Sequence, residues 1–160
     1  MRGRNLFIFV FTFIIAAAVL FIMVKAGRSK DIWDINAEKL ADSFKVISGD
    51  AVIEDLSGFI PFEWDALYSF SAYCPRAKIY ETIGYKWDRI TESVNEGMNQ
   101  IVFVEDGKVV CYLYGYPEYS GVGFDFGSYE EFYIKLTPDQ ELSFKTRIAD
   151  DGIRYFHYLK

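Results

Sequence analysis

The stretch IVFVEDGKVVCYLYGY, residues 101–116, decides the fold of the chain. It contains two apolar runs, residues 101–105 and 108–115, on either side of the dipeptide Asp106-Gly107. Asp-Gly tolerates the positive φ angles of a type I′ turn, which joins neighbouring antiparallel strands without splaying them. The stretch therefore predicts a β-hairpin.

A second hairpin is predicted further along the chain. In residues 141–148, apolar and polar side chains alternate, as they do in a strand with one buried face. The turn residues Asp150-Asp151-Gly152 then lead into another strand at residues 153–159. Shorter strands are predicted at residues 51–57, 66–72 and 131–136.

Two segments carry the three-to-four-residue spacing of apolar side chains that is typical of helices. The first is residues 37–47, with Asp34 or Asn36 placed to cap its start, and the second is residues 75–84, which begins with a proline. Residues 87–95 form either a further helix or an ordered loop. Strands joined mainly by tight turns, with helices placed early, predict an α+β fold in which an antiparallel sheet carries one or two helices on one face.

The N-terminal segment has the composition of a membrane-spanning helix. From Leu6 to Val24 there are 19 residues without a charge, and a helix of that length matches the roughly 30 Å hydrocarbon core of a bilayer. We therefore expect residues 1–30 to form a basic flank and a single transmembrane anchor, and residues 31–160 to form a single domain. The alternative is a secretory signal that is cleaved near Ala26, because small residues stand at the matching positions.

Charge separates these two parts of the chain. The first thirty residues hold five Lys and Arg residues and no acid, whereas residues 31–160 hold 12 basic and 23 acidic residues, a net charge of −11. A domain this acidic repels nucleic acid and anionic lipid. Basic residues flank both ends of the hydrophobic segment in nearly equal number, and its signal-like position favours an extracytoplasmic domain.

Cys74 and Cys111 are the only cysteines in the chain. In an oxidising compartment they could form a disulfide, which would stabilise the domain by about 3–4 kcal/mol in the chain-entropy model. The alternative is a pair of buried free thiols. Their spacing does not match a zinc site.

No motif in the chain points to catalysis, a metal or a cofactor. His157 is the only histidine and lies in a predicted strand, and the chain contains no Gly-x-Ser-x-Gly sequence. The glycines between Gly121 and Gly127 lack the spacing of a nucleotide-binding loop and indicate a flexible loop or a bulge. We therefore expect a protein that is not an enzyme, with no catalytic residue, no metal ligand and no cofactor.

Arg76 and Lys78 fall in the first turn of the predicted helix at residues 75–84, where the helix dipole favours acidic side chains. Residues that break a local rule are sometimes functional, so these two are candidates for binding an anion or an acidic partner. The alternative is that both are simply solvated, because the electrostatic penalty is only about 0.3–1 kcal/mol.

Three patches, FEWDALYSFSAYCP (62–75), IGYKW (83–87) and GMNQIVFVEDGKVVCYLYGYP (97–117), resemble a group of small bacterial proteins that are exported or lipid-anchored. The extracytoplasmic domain of that group has no assigned biochemical role. This chain carries Arg76 and Lys78 where the group tends to be acidic, and it lacks the lipid-anchor cysteine of some members. The resemblance implies export and a binding or structural role, and it transfers no catalytic residue.

Four residues of these patches, Trp64, Asp65, Tyr73 and Trp87, are candidates for a recognition groove. Trp and Tyr supply much of the binding energy at protein interfaces. The alternative is that the four form the packed core and its hydrogen-bonded rim.

The expected function is that of a membrane-anchored module of the cell envelope that binds a protein or a wall component. One alternative is a hydrolase with a carboxylate-based mechanism, since 23 acidic residues offer many carboxyl pairs. The other is a regulator that is tethered to the membrane and faces the cytoplasm.

Overall fold

The computed structural model describes residues 30–159. The segment from Leu6 to Val24, for which a membrane-spanning helix is predicted, lies outside the described residues. Within them, no helix combines the length and the apolar composition that crossing a membrane requires.

Residues 30–159 form three α-helices, eight strands and two short 3₁₀ helices, which confirms the predicted α+β class. The helices are α1 (Ile32–Ser43), α2 (Arg76–Ile83) and α3 (Pro117–Ser120), and the 3₁₀ helices are Phe44–Val46 and Leu56–Phe59. The strands are β1 (Ala51–Ile53), β2 (Ala66–Phe70), β3 (Asn99–Glu105), β4 (Lys108–Gly115), β5 (Val122–Asp125), β6 (Tyr133–Leu136), β7 (Phe144–Ile148) and β8 (Arg154–Tyr158).

The strands form two four-stranded sheets, whereas the sequence predicts one antiparallel sheet. The hairpin sheet has the order β4-β3-β2-β6 and is antiparallel throughout. The C-terminal sheet has the order β1-β7-β8-β5, and its β5–β8 pair is parallel. The prediction of one sheet was wrong because β1 pairs with β7, with Ala51 opposite Thr146, and no local pattern reveals so distant a partner.

Both predicted hairpins are confirmed. Asp106 and Gly107 have φ angles of 48° and 70°, as a type I′ turn requires, and they join β3 to β4. The Asp65 carboxylate accepts a hydrogen bond of 2.7 Å from the Asp106 amide and so holds this turn. Strands β7 and β8 pair antiparallel across the turn at Gly152, whose φ is 85°.

Aromatic side chains fill the space between the two sheets. Phe103 of the hairpin sheet, Phe144 and Phe156 of the C-terminal sheet, and Phe44 after α1 are almost completely buried in one cluster. The ring centroids of Phe44 and Phe156 are 4.6 Å apart. We call this cluster the inter-sheet core.

A second cluster, the outer core, covers the opposite face of the hairpin sheet. Val102 and Val104 belong to it because successive side chains of a strand point to opposite faces, and they alternate with Phe103 of the inter-sheet core. Ile79 and Ile83 of α2 pack on the outer core. The predicted helix on one sheet face is therefore α2, while α1 lies beside β4.

The start of α1 differs from the prediction. The helix begins at Ile32, so neither Asp34 nor Asn36 stands before its first turn. Asn36 is buried inside the helix, and its side chain donates a hydrogen bond of 2.9 Å to the Val110 carbonyl. Asn36, which the sequence predicts as a helix cap, therefore links α1 to β4 instead.

The limits of α2 agree closely with the sequence. Pro75 occupies the position just before the helix, with φ −62° and ψ 139°. Gly84 ends the helix in the left-handed conformation, with φ 89°. Residues 87–95 form a loop, which was one of the two alternatives for that segment.

Candidate functional site

The structure places the two predicted binding tryptophans on opposite faces of the hairpin sheet. Trp64 is 8% exposed in the inter-sheet core, and its ring lies 5.6 Å from that of Phe103. Trp87 is half-buried against the outer core, with its ring centroid 5.4 Å from those of Trp33 and Tyr112. The two tryptophans therefore do not line one groove.

Arg76 and Lys78 lie at the start of α2, and an acidic residue from elsewhere in the chain meets that start. The Arg76 amide donates a hydrogen bond of 2.7 Å to the Glu92 carboxylate, which comes from the loop after α2. Lys78 forms ion pairs of 3.4 Å with Glu81 and 3.9 Å with Glu131. The hydrogen bond to Glu81 raises the pKa of Lys78, so its ammonium group stays charged.

Cys74 and Cys111 are free, buried thiols in the structure. This is the second of the two alternatives for the pair, and no disulfide joins them. Cys74 belongs to the outer core and Cys111 to the inter-sheet core, on opposite faces of the hairpin sheet. Burial raises the pKa of the Cys74 thiol to about 11 and also raises that of Cys111. Both thiols are therefore protonated at neutral pH and are poor nucleophiles.

The candidate site is an open cleft of about 690 Å³, which we call the tyrosine cleft. It lies where β5 and β8 of the C-terminal sheet meet the loop after β2 and the loop before β3. Its ionisable lining residues are Tyr73, Glu96, Asp125, Tyr129, Tyr155 and His157.

Gly123 shapes one wall of the tyrosine cleft. The parallel pairing of β5 and β8 places it opposite Tyr155. A Cβ at this position would lie 2.7 Å from the Cδ1 and Cε1 atoms of the Tyr155 ring and 3.0 Å from Cγ of Pro117. Because glycine has no Cβ, the ring lies directly against the backbone of β5.

An aspartate–histidine pair lies beside this ring, because the same strand pairing sets Asp125 opposite His157. The His157 Nδ1 atom is 3.1 Å from the Asp125 Oδ2 atom, and the Gly127 amide donates a hydrogen bond of 2.8 Å to Oδ1. The Gly127 hydrogen bond, aided by the bond from His157, lowers the pKa of Asp125. Asp125 is therefore a carboxylate at neutral pH, and it orients the imidazole through Nδ1.

Two further tyrosines of the cleft are held by hydrogen bonds. Tyr73 has a φ of 64°, and its amide donates a hydrogen bond of 3.0 Å to the Ser93 carbonyl, while its side chain is exposed. The Tyr129 hydroxyl lies 2.8 Å from the Ser69 hydroxyl. Burial raises the pKa of Tyr129, so its phenol stays neutral.

Two buried amide side chains, adjacent in the sequence, fix two walls of the cleft. Asn99 donates a hydrogen bond of 2.8 Å to the Val122 carbonyl and accepts one of 3.1 Å from the Phe124 amide, so it holds β5. Gln100 accepts a hydrogen bond of 2.9 Å from the Ser93 amide. Since Ser93 in turn bonds to Tyr73, Gln100 also positions the loop after β2.

The contacts of His157 and Asp125 limit the catalytic roles that these two residues could have. A histidine nucleophile system needs a Ser or Cys within hydrogen-bond reach, and the described residues show none bonded to His157. The lowered pKa of Asp125 makes it unsuited to be the general acid that glycoside hydrolysis needs. Within residues 30–159, no three His, Cys, Asp or Glu side chains are grouped to hold a metal ion.

A second groove, of about 680 Å³, runs between α1 and β4. Asp34, Glu38 and Asp42 form its helical wall, and Tyr119, which is 83% exposed, lies on its other side. Lys45 also lines the groove and pairs with Asp42 at 2.6 Å, on the solvated surface. Because Lys45 stands among these acids, the charge of the groove is mixed, which makes it a weaker candidate than the tyrosine cleft.

Of the residues in the tyrosine cleft, Tyr73 is the one that the sequence predicts to bind a ligand. The segment from Gly121 to Gly127 was predicted to be a flexible loop or bulge, but part of it forms β5. The alternation in β8, which puts Tyr155 and His157 on one face, is the sequence signal that could have revealed the site.

No family model matches the chain, and no curated protein or solved structure matches it either. Evidence about function therefore comes from the residues themselves. The resemblance of residues 62–75, 83–87 and 97–117 to exported bacterial proteins stays a prediction.

Proposed function

We propose that residues 31–160 form a ligand-binding module on the outer side of a cell membrane, anchored by the segment from Leu6 to Val24. The observation that carries this proposal is the tyrosine cleft, in which tyrosine rings and the Asp125–His157 pair converge on one cavity. Its volume of about 690 Å³ lies in the range of small-molecule sites. The ligand in this proposal is a component of the cell envelope, either a wall polymer or part of an envelope protein.

The charge distribution supports the membrane location and the outward orientation. The uncharged segment from Leu6 to Val24 follows Arg2 and Arg4, as the apolar part of signal and anchor segments follows a basic stretch. The net charge of −11 on residues 31–160 makes nucleic acid and anionic lipid poor ligands. Secretion after cleavage near Ala26 would leave the same binding module free of the membrane.

A pair of reporter fusions at Lys160 tests the orientation. We expect a fused alkaline phosphatase, which is active only outside the cytoplasm, to show activity, and a fluorescent protein that matures only in the cytoplasm to stay dark. The reverse pattern would establish the cytoplasm-facing regulator instead. N-terminal sequencing of the mature protein separates an intact anchor from cleavage near Ala26.

Co-sedimentation with purified cell walls and with envelope membranes tests the binding role. Full-length protein in non-ionic detergent is compared with the variant Tyr155→Leu, which keeps apolar bulk in the cleft but removes the aromatic ring. We expect the variant to bind about tenfold more weakly, because buried aromatic residues dominate binding energy.

Tyr119→Leu is the matched control for this experiment. It removes an equally large ring from the groove beside α1, where Tyr119 is 83% exposed. Equal binding by wild type and Tyr155→Leu, with a loss in Tyr119→Leu, would move the binding site to that groove and overturn the assignment to the tyrosine cleft.

A further inference from the structure

We propose that the ligand group held in the tyrosine cleft is an organic ammonium ion, an inference that rests on the proposed binding function and names its ligand class. The residues that line the cleft include carboxylates and tyrosine rings, and no lysine or arginine is among the described ones. The charge of the lining and its aromatic rings are separate features, and both favour a positively charged ligand.

The charge of the cleft is negative. Glu96 and Asp125 contribute carboxylates to its wall, and among the described residues that line it there is no lysine or arginine. The Nδ1 atom of His157 is directed at Asp125. Lys145 and Arg147 of β7 stand opposite His157 and Tyr155 in the C-terminal sheet but do not line the cleft. An anionic ligand would therefore meet two like charges, which weakens its binding.

The negative charge of Asp125 persists through the neutral pH range. Its Oδ1 atom accepts the Gly127 amide hydrogen bond and its Oδ2 atom faces His157, and together these contacts lower its pKa. Beyond the cleft, the net charge of −11 on residues 31–160 attracts cations over a longer range.

The rings of the cleft suit a cation as well. Tyr73, Tyr129 and Tyr155 line it, whereas the ring of Phe70 is buried in the outer core and the ring of Phe124 packs against the inter-sheet core. The face of an aromatic ring attracts an ammonium group, by about 0.5–1 kcal/mol at exposed sites and about 2 kcal/mol where water is excluded. Sites built from several aromatic rings are a known solution for the recognition of quaternary ammonium ligands.

The volume of the cleft indicates that the ammonium group belongs to a larger molecule. At about 690 Å³ it is several times larger than a trimethylammonium group, so the remainder of the ligand also occupies it. The His157 imidazole, which lines the cleft, can make a polar contact with that remainder.

An NMR titration of full-length protein in non-ionic detergent tests this inference with two probes of the same shape. Choline carries a trimethylammonium group, and its neutral analogue carries a tert-butyl group in the same place. We expect choline to shift the amide resonances of Gly123, Asp125 and Gly127 and to bind about tenfold more tightly than the analogue.

Two charge-neutralising variants locate the effect. Glu96→Gln should weaken choline binding by about threefold or more, since it removes a charge at the cleft. Glu63→Gln changes the net charge equally at an exposed position outside the cleft, and it should leave choline binding almost unchanged. Equal losses in both variants would mean that choline responds to the overall field of the protein, and they would overturn the site.

The outcomes also separate this inference from the proposed function. Equal affinity for choline and the neutral analogue at the cleft resonances would overturn the ammonium assignment and leave the cleft as a binding site. Loss of envelope binding in Tyr155→Leu without any response to choline would do the same. Unchanged envelope binding in Tyr155→Leu would instead overturn the assignment of envelope binding to the tyrosine cleft.

Discussion

A single hydrogen atom in place of a side chain at Gly123 allows the Tyr155 ring to lie on strand β5. The substitution Gly123→Ala places a methyl carbon 2.7 Å from that ring, so the ring or the strand must move. Overpacking of this kind costs about 1–3 kcal/mol. We expect the free energy of unfolding of the full-length protein in detergent, measured by urea titration with tryptophan fluorescence, to fall by that amount.

Gly58→Ala is the control for this substitution. A Cβ added to Gly58 meets no atom within 4 Å, and its backbone is outside the left-handed region. The change should alter the free energy of unfolding by less than about 0.5 kcal/mol. Equal destabilisation by the two substitutions would show that contact with Tyr155 is not the cause.

At the residue scale, the sequence predicted features that depend on near neighbours and missed those that depend on distant ones. The Asp106-Gly107 turn was predictable because both residues tolerate positive φ angles, whatever the rest of the fold does. The Asp125–His157 pair was not, because it depends on the parallel register of two strands that are not adjacent in sequence.

Among the elements, α2 begins without an acidic residue in its own first turn. Glu92 supplies the missing charge from the following loop, through its hydrogen bond of 2.7 Å from the Arg76 amide. We expect Glu92→Ala to lower the free energy of unfolding by about 1 kcal/mol, as the loss of a helix cap does. Hydrogen exchange should show faster exchange of the amides in the first turn of α2.

The comparison for that variant is Glu81→Ala. Glu81 pairs with Lys78 on the surface of the same helix, and its side chain is 72% exposed. Exposed pairs contribute about 0–1 kcal/mol, so this substitution should leave exchange in the first turn of α2 unchanged. Faster exchange there in Glu81→Ala alone would contradict the capping role of Glu92.

Helices and hairpins were predictable at the element scale because their signals are periodic and local. The start of α1 was misplaced because asparagine is a residue type that often caps helices. In the structure, Asn36 instead donates a hydrogen bond to the Val110 carbonyl of strand β4. The division into two sheets was missed because Ala51 pairs with Thr146, and the sequence around neither residue contains a pattern that predicts this pairing.

At the scale of the whole molecule, the hairpin sheet separates Cys74 from Cys111. We expect the two thiols to remain reduced in protein purified without reductant, and both to react with iodoacetamide only after unfolding. Burial and the raised pKa of each thiol both slow the reaction in the folded state. Mass spectrometry of alkylated protein, folded and in urea, measures the number of reactive thiols.

The contrary result is a disulfide found in the unreduced protein, together with an unfolding midpoint that falls when reductant is added. That pairing would require the two cysteines to reach the same face of the hairpin sheet. The double variant Cys74→Ser and Cys111→Ser separates loss of a bond from loss of packing, because reductant has no thiol to act on in it.

The order in which strands enter the two sheets bears on how the chain is made. After β1, the chain supplies three strands to the hairpin sheet, one to the C-terminal sheet, one to the hairpin sheet again, and two more to the C-terminal sheet. Strand β8 is an inner strand, between β7 and β5, so the inter-sheet core cannot close before residues 154–158 leave the ribosome. Pairings between such distant segments form slowly. The inter-sheet core is therefore incomplete until β8 lies between β7 and β5.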